Sequence, residues 1–325
     1  MISPDVAAAV TKLEGERVLT PQQARLFGRI ARGELVSVST AIHALLYLGV
    51  VALTTGAGLL FRQEIANLGP LTIALAVGAA ATFCLAWVSR TSPAFTREEV
   101  ASPHVAFDYV LGLGALLAAA DLAFVETRFS PLGAQWPFHF LLVSAFYLAL
   151  SFRFDSRALF ALALTSFAAW RGVASTSVER VLFGFLADTD TVRLNALACG
   201  TAFVIAGREL KRARFKAHFE PAASHLGWLL ALQSIAWGID HGPTAGFHRL
   251  GLALVGAGLA LFSWRGGRFA LFVFGVLAAY LGFMVALVDA VDDVTGTLFL
   301  VGVSAVVLVF GLAAVHRRFP KEREE

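Results

Sequence analysis

From Gly296 to Val315 the chain runs for 20 residues without a charged side chain, reading GTLFLVGVSAVVLVFGLAAV. A helix of that length rises about 30 Å, the thickness of the hydrocarbon core of a bilayer. In water such a run could hide only in a large soluble core, and this chain cannot wrap one. Of its 325 residues 58% are hydrophobic and 15% charged, against about 25% charged in a soluble domain. With a mean hydropathy of +0.72, lipid is the expected solvent. Only closed backbone hydrogen bonding survives there. The expected fold is therefore all-α, a polytopic transmembrane helix bundle.

Ten apolar runs fit the length of a span. They cover about Ser39 to Phe61, Leu68 to Val88, His104 to Val125, Trp136 to Phe152, Arg157 to Trp170, Arg193 to Gly207, Ala222 to Ile239, Phe247 to Trp264, Phe269 to Val288 and Gly296 to Val315. A segment with Val178, Val181, Leu182, Phe185 and Leu186 on one helical face is expected to lie in the interface.

The orientation follows from the basic stretch RELKRARFKAHFE, Arg208 to Glu220. Lys and Arg beside a span resist translocation, so this loop is expected in the cytoplasm. With both termini on that side, 20 of the 26 Lys and Arg fall inside and 6 outside. The basic residues sit at span ends, not along one face, so nucleic acid is not an expected partner. The partner implied by composition is the lipid bilayer. Cys84 and Cys199 both lie in apolar runs and are expected to pack as small hydrophobes.

Residues 1–38 read as a small cytoplasmic helical hairpin, followed by the bundle over 39–316 and a charged tail over 317–325. Ser3-Pro4 and Thr20-Pro21 are helix starts, with Thr20 and Gln23 at capping-box spacing. The first apolar run follows a charged segment too long for the start of a signal peptide. Arg25, Arg29 and Arg32 share one side of the second helix. They suit ordinary cytoplasmic flank charge, or a contact with anionic lipid or an acidic protein partner.

Val18, Leu19, Thr20, Gln23 and Ala24, set ahead of many spans, resemble the opening helix of an uncharacterised family of bacterial membrane proteins of unknown function, the DUF 2157-like proteins. Arg17 departs from the Gly usual there. The resemblance implies a multi-pass protein of the bacterial inner membrane and implies no activity.

An internal repeat is also legible. Phe138-His139 answers Phe247-His248, and Ser151-Phe152-Arg153 answers Ser263-Trp264-Arg265. Spans two to five would match spans six to nine in parallel orientation. That would place His139 and His248, with Asp121 and Asp240, at equivalent outer positions. Imidazole and carboxylate can together hold a divalent cation, so these four are the metal candidates. The alternative is that they are solvated ends of spans. Polar groups inside the membrane are Asp108, His43, Gln233, Tyr147 and Tyr280. Intramembrane polarity marks function by default, and Asp108 could pair with His43 or Arg90.

No HExxH, Gly-x-Ser-x-Gly or Walker sequence is present. Neither an enzyme nor a bound cofactor is expected. Two function classes fit. One is a membrane anchor or sensor subunit that docks a partner through its N-terminal helices. The other is a transporter moving a small solute or cation between the repeats. A carrier requires a polar cavity to mid-depth, whereas an anchor requires a filled bundle.

Overall fold

The computed structural model describes residues 69–174, 189–239, 244–289 and 293–319 and, before them, positions 13, 15, 23, 27, 48, 49, 51, 52, 55 and 56. The chain divides into two units, Met1–Asn67 and Leu68–Glu325. In the first unit the described positions are helical, with Leu13 and Phe27 exposed. The rest of the expected hairpin, most of the first apolar run and the interfacial segment around Val181 lie outside the described residues.

Among the described residues the second unit is all-helical. Its helices are α1 (Pro70–Thr91), α2 (Val105–Phe129), α3 (Phe138–Phe154), α4 (Arg157–Ala174), α5 (Thr189–Arg212), α6 (Glu220–Ala236), α7 (Ala245–Arg265), α8 (Phe269–Val288) and α9 (Val294–Arg318). Local chemistry sets their ends. Pro70 and Pro221 stand in the first turns of α1 and α6, where a missing N–H costs nothing. The Asp293 side chain caps α9 by accepting from the Gly296 N–H at 2.7 Å. Helices α2 and α3 stop at left-handed residues, Ser130 (φ 47°) and Asp155 (φ 58°). Their N–H groups bond back to the Glu126 and Ser151 carbonyls.

Successive helices pack as hairpins: α1 with α2, α3 with α4, α5 with α6 and α7 with α8. Helix α6 also touches α4, α7 and α8. Helix α9 rests on α8, where the Tyr280 and Ser304 hydroxyls lie 2.9 Å apart. One apolar core joins α1 to α4 through Val88, Phe107, Leu111, Tyr147 and Leu159. A second joins α6 to α8 through Leu232, Leu252, Leu259 and Leu271. Phe160, Phe219 and Ala223 form a third cluster, which links α4 to the start of α6.

Small residues let the backbones meet, as expected where lipid offers no hydrophobic drive. A Cβ on Gly114 would lie 2.9 Å from that of Cys84. A Cβ on Gly256 would fall 2.7 Å from the Gly275 carbonyl oxygen, and one on Gly275 would fall 2.6 Å from that of Gly256.

Five described helices are long and apolar enough to cross a membrane: Pro70–Thr91, Ala106–Phe129, Ala245–Arg265, Phe269–Val288 and Thr295–His316. None is more than 28% buried within the protein, and the last has a buried share of 0%. Leu71, Phe83, Leu298, Phe299 and Phe310 are all exposed. Apolar surface on that scale needs lipid. The chain is a multi-pass helical membrane protein.

The count corrects the expectation of about ten spans. Helices α3 and α6 have only 17 residues. Arg157 and Arg171 bracket α4, and α5 carries Asp190, Arg193, Arg208, Glu209, Lys211 and Arg212. Charge and length together keep these four below the threshold of a span. The same difference argues against the repeat as a whole. It would pair the span-forming α1 and α2 with α5 and α6, which are not span-forming. The likeness holds only locally, at two turns. Ser156 and Phe160 bond back to Ser151 and Ser156, as Arg268 and Phe272 do to Ser263 and Arg268. Asp155 and Gly267 are the left-handed residues of the two turns.

Candidate functional site at the loop end

The connections that carry most of the positive charge meet at one end of the helices. Arg153 donates to the Pro93 carbonyl at 3.2 Å and to Ser92 Oγ at 3.0 Å. Arg157 pairs with Glu99 at 2.9 Å. These contacts fasten the α3–α4 turn to the α1–α2 loop. Phe319, just past α9, packs on Trp264 and Phe269 with centroids 5.1 and 5.2 Å away.

Lys216 ties the α5–α6 loop to both of its neighbours. Its N–H donates to the Arg97 carbonyl at 2.8 Å. Its Nζ donates to the Asp155 carboxylate at 2.5 and 2.6 Å and to the Glu98 carbonyl at 3.3 Å. The Lys216 side chain is 0% exposed and that of Asp155 is 7%. Both residues have left-handed backbones, at φ 49° and 58°. Such a conformation costs a residue with a Cβ of order 1 kcal/mol or more and persists only where the surroundings impose it. Here Asp155 closes α3 on the Ser151 carbonyl, and Lys216 is held by the Arg97 carbonyl and the buried pair.

A second pair lies where α6 meets the α7–α8 turn. Arg268 grips both oxygens of Glu220, at 2.7 and 3.0 Å. Ser224 Oγ donates to the same carboxylate at 2.7 Å. Glu220 is thus buried with its charge met on several sides, as a buried carboxylate requires.

His218 stands between the two pairs, with its side chain 5% exposed. Its Nε2 is 3.4 Å from Asp155 Oδ1, but neither ring nitrogen makes a hydrogen bond. Burial holds its pKa below the ordinary histidine value. Glu99 and Asp155 pull it upward, while Arg157 and Lys216 push it down.

Beside His218 opens a cavity of about 1570 Å³ between α5, α6 and the α7–α8 turn. Arg208, Lys211, Arg212 and Arg265 stand on its rim, above Ile205, Trp228, Phe262 and Leu271. Glu209 compensates Arg212 at 3.0 Å. Among the described residues no acid lies within ion-pair distance of Arg208, Lys211 or Arg265. Trp228 follows Glu220 by about 12 Å along α6 at 1.5 Å per residue.

The residues singled out in the sequence lie elsewhere. His139 Nδ1 is 2.9 Å from the Trp136 carbonyl, and its ring stacks on Trp136. His248 packs against Gly238, where an added Cβ would come within 2.5 Å of the imidazole. Asp121 faces Gly78. Asp240 and His43 lie outside the described residues. Among the described residues no three His, Cys, Asp or Glu side chains group as metal ligands. Asp108 accepts from Ser102 Oγ, a loop partner, at 2.8 Å. Tyr147 is buried in the first core, and Gln233 is exposed on α6.

Asp155, His218 and Glu220 were not legible as a site. The available signal was acids enclosed by cations: Asp155 lies between Arg153 and Arg157, and Glu220 closes the basic stretch. No protein-family model, curated protein or solved structure matches this chain.

Proposed function

We propose that this is a membrane anchor or sensor subunit, without enzymatic activity, whose loop end faces the cytoplasm and whose residues 1–38 dock a partner protein. The observation that carries this reading is the buried Lys216–Asp155 pair. It fastens the α5–α6 loop to the α3–α4 turn, and Lys216 also holds the α1–α2 loop. Removing one partner of a buried pair costs about 3–5 kcal/mol, so a carrier rocking one half against the other would open this end at high cost. The cavity departs from the filled bundle of an anchor, but it lies beside α5–α8 alone and so does not form a path along an interface between repeats.

The location in a bacterial inner membrane and the kinship with the DUF 2157-like proteins belong to the same proposal. They rest on the resemblance of Val18 to Ala24.

The test compares the full chain with one lacking residues 1–38, both purified from their native membrane. A defined partner retained by the first and absent from the second is the expected result. Single cysteines at Thr96 and Arg214 should react with a membrane-impermeant maleimide only from the cytoplasmic side, and one at Ser130 only from outside. Solute counterflow in vesicles containing the purified protein would replace this reading with the carrier.

A further inference from the structure

We propose that the cavity at the loop end binds the phosphate group of a ligand whose remainder lies against the apolar floor. Among the described residues three cations on its wall have no acid within ion-pair distance. Arg208 and Lys211 stand one turn apart on α5, and Arg265 faces them from the end of α7. Cations lining a concave wall of low dielectric focus their field into it. Guanidinium groups match the paired oxygens of a phosphate. Arg208 is already steadied over the Phe262 ring, 6.0 Å from its centroid.

His218 stands in the same wall. Its imidazole lines the cavity, is almost fully buried, and has neither nitrogen hydrogen-bonded. Nε2 lies 3.4 Å from Asp155 Oδ1 and both nitrogens are shut off from the cavity, so the imidazole senses an anion held by the cations without contacting it. The acids nearby do not oppose an anion. Glu220 is neutralised by Arg268 and held by Ser224, and Glu209 by Arg212.

Below the cations the wall becomes apolar, at Ile205, Trp228, Phe262 and Leu271. That polarity suits a phosphate attached to hydrocarbon. Basic pockets between membrane helices take anionic lipid headgroups in this way. A soluble phosphomonoester offers the same group without the chain, and the experiment separates the two sources.

Full-length protein in neutral micelles would be titrated with dioleoylphosphatidic acid, with dioleoylphosphatidylcholine as background, and separately with glycerol 3-phosphate. Binding would be read by native mass spectrometry and by the His218 imidazole resonance. The expected result is binding of one or both phosphate probes with a shift of that resonance. The combined Arg208→Gln, Lys211→Gln and Arg265→Gln variant should weaken binding at least tenfold. Arg214→Gln, on the same loop but off the cavity, and Arg128→Gln at the other end should change it less than twofold. Preference for phosphatidic acid alone identifies a lipid headgroup, and binding of glycerol 3-phosphate identifies a soluble source. Circular dichroism checks the fold, and Arg208→Lys with Arg265→Lys, which keeps the charge and loses the guanidinium forks, should bind more weakly than the parent and more tightly than the triple Gln variant. The proposal fails if neither phosphate probe exceeds the phosphatidylcholine background, or if Arg214→Gln weakens binding as much as the triple change.

Discussion

Lys216 Nζ lies 2.5 and 2.6 Å from the two carboxylate oxygens of Asp155, a residue 61 positions earlier in the chain, and both side chains are shut off from water. Neither charge has solvent to fall back on. Lys216→Ala should therefore destabilise the protein by about 3–5 kcal/mol, because it strands the Asp155 carboxylate. Adding Asp155→Ala should recover part of that loss. Thermal unfolding of the four members of the cycle in one detergent measures the coupling. Equal stability of the single and parent proteins would show that the pair does not hold the loops.

Acidification should weaken the fold through His218. Its folded pKa is depressed, chiefly by burial, so the unfolded chain binds its proton more readily. Stability from this group is present above the unfolded value of about 6.5 and is lost as pH falls below it. The neighbours that set the balance are Glu99, Asp155, Arg157 and Lys216. The melting temperature should drop between about pH 7.5 and pH 5.5, the range that spans the unfolded pKa. His218→Gln should flatten that slope. A slope unchanged by the substitution would exclude His218 as its source.

Two glycines two positions apart on α7 should behave oppositely. At Gly256 a Cβ would sit 2.4 Å from the Ala279 backbone nitrogen, whereas at Gly258 nothing lies within 4 Å. Gly256→Ala must push α7 off α8 and should cost about 1–3 kcal/mol as overpacking. Gly258→Ala meets open space and should be neutral or stabilise by up to about 1 kcal/mol through helix propensity. Comparing their unfolding midpoints checks both expectations.

Helix α9 turns its side chains outward, with Val307 64% and Phe310 71% exposed. If that surface meets lipid, Val307→Asp near the helix centre should reduce membrane insertion by roughly 2.5–3.5 kcal/mol. Val307→Leu should leave insertion unchanged. A glycosylation-mapping assay of the α9 segment reads both. Equal insertion of the Asp variant would mean that this face is covered by protein.

Where hydropathy and charge act locally, the sequence was informative. The expected span Phe269 to Val288 coincides with α8, and that from Arg157 shares its start with α4. The loop-end site depended on choices that no local pattern records. A basic stretch does not reveal which of its cations turns inward. Lys216 does so through a left-handed backbone that nothing in FKAH announces. The His/Asp candidates rested on the repeat, and apolar sequence matches itself readily. His139 and His248 are each engaged by a near neighbour, Trp136 and Gly238.

At the loop end one tie between hairpins, Lys216 to Asp155, is buried, while Arg153 to Ser92 and Arg157 to Glu99 are exposed. At the opposite end the link from α4 to α5, Arg171 to Asn195, is exposed, and Arg249 joins α7 to Asp289 and, part-buried, to the Ile239 carbonyl after α6 at 3.0 Å. Among the described residues the ion pairs with an acid shut off from water, Lys216–Asp155 and Arg268–Glu220, both lie at the loop end. Neutralising either acid would loosen that end while leaving the Arg171–Asn195 and Arg249–Ile239 links at the other end in place.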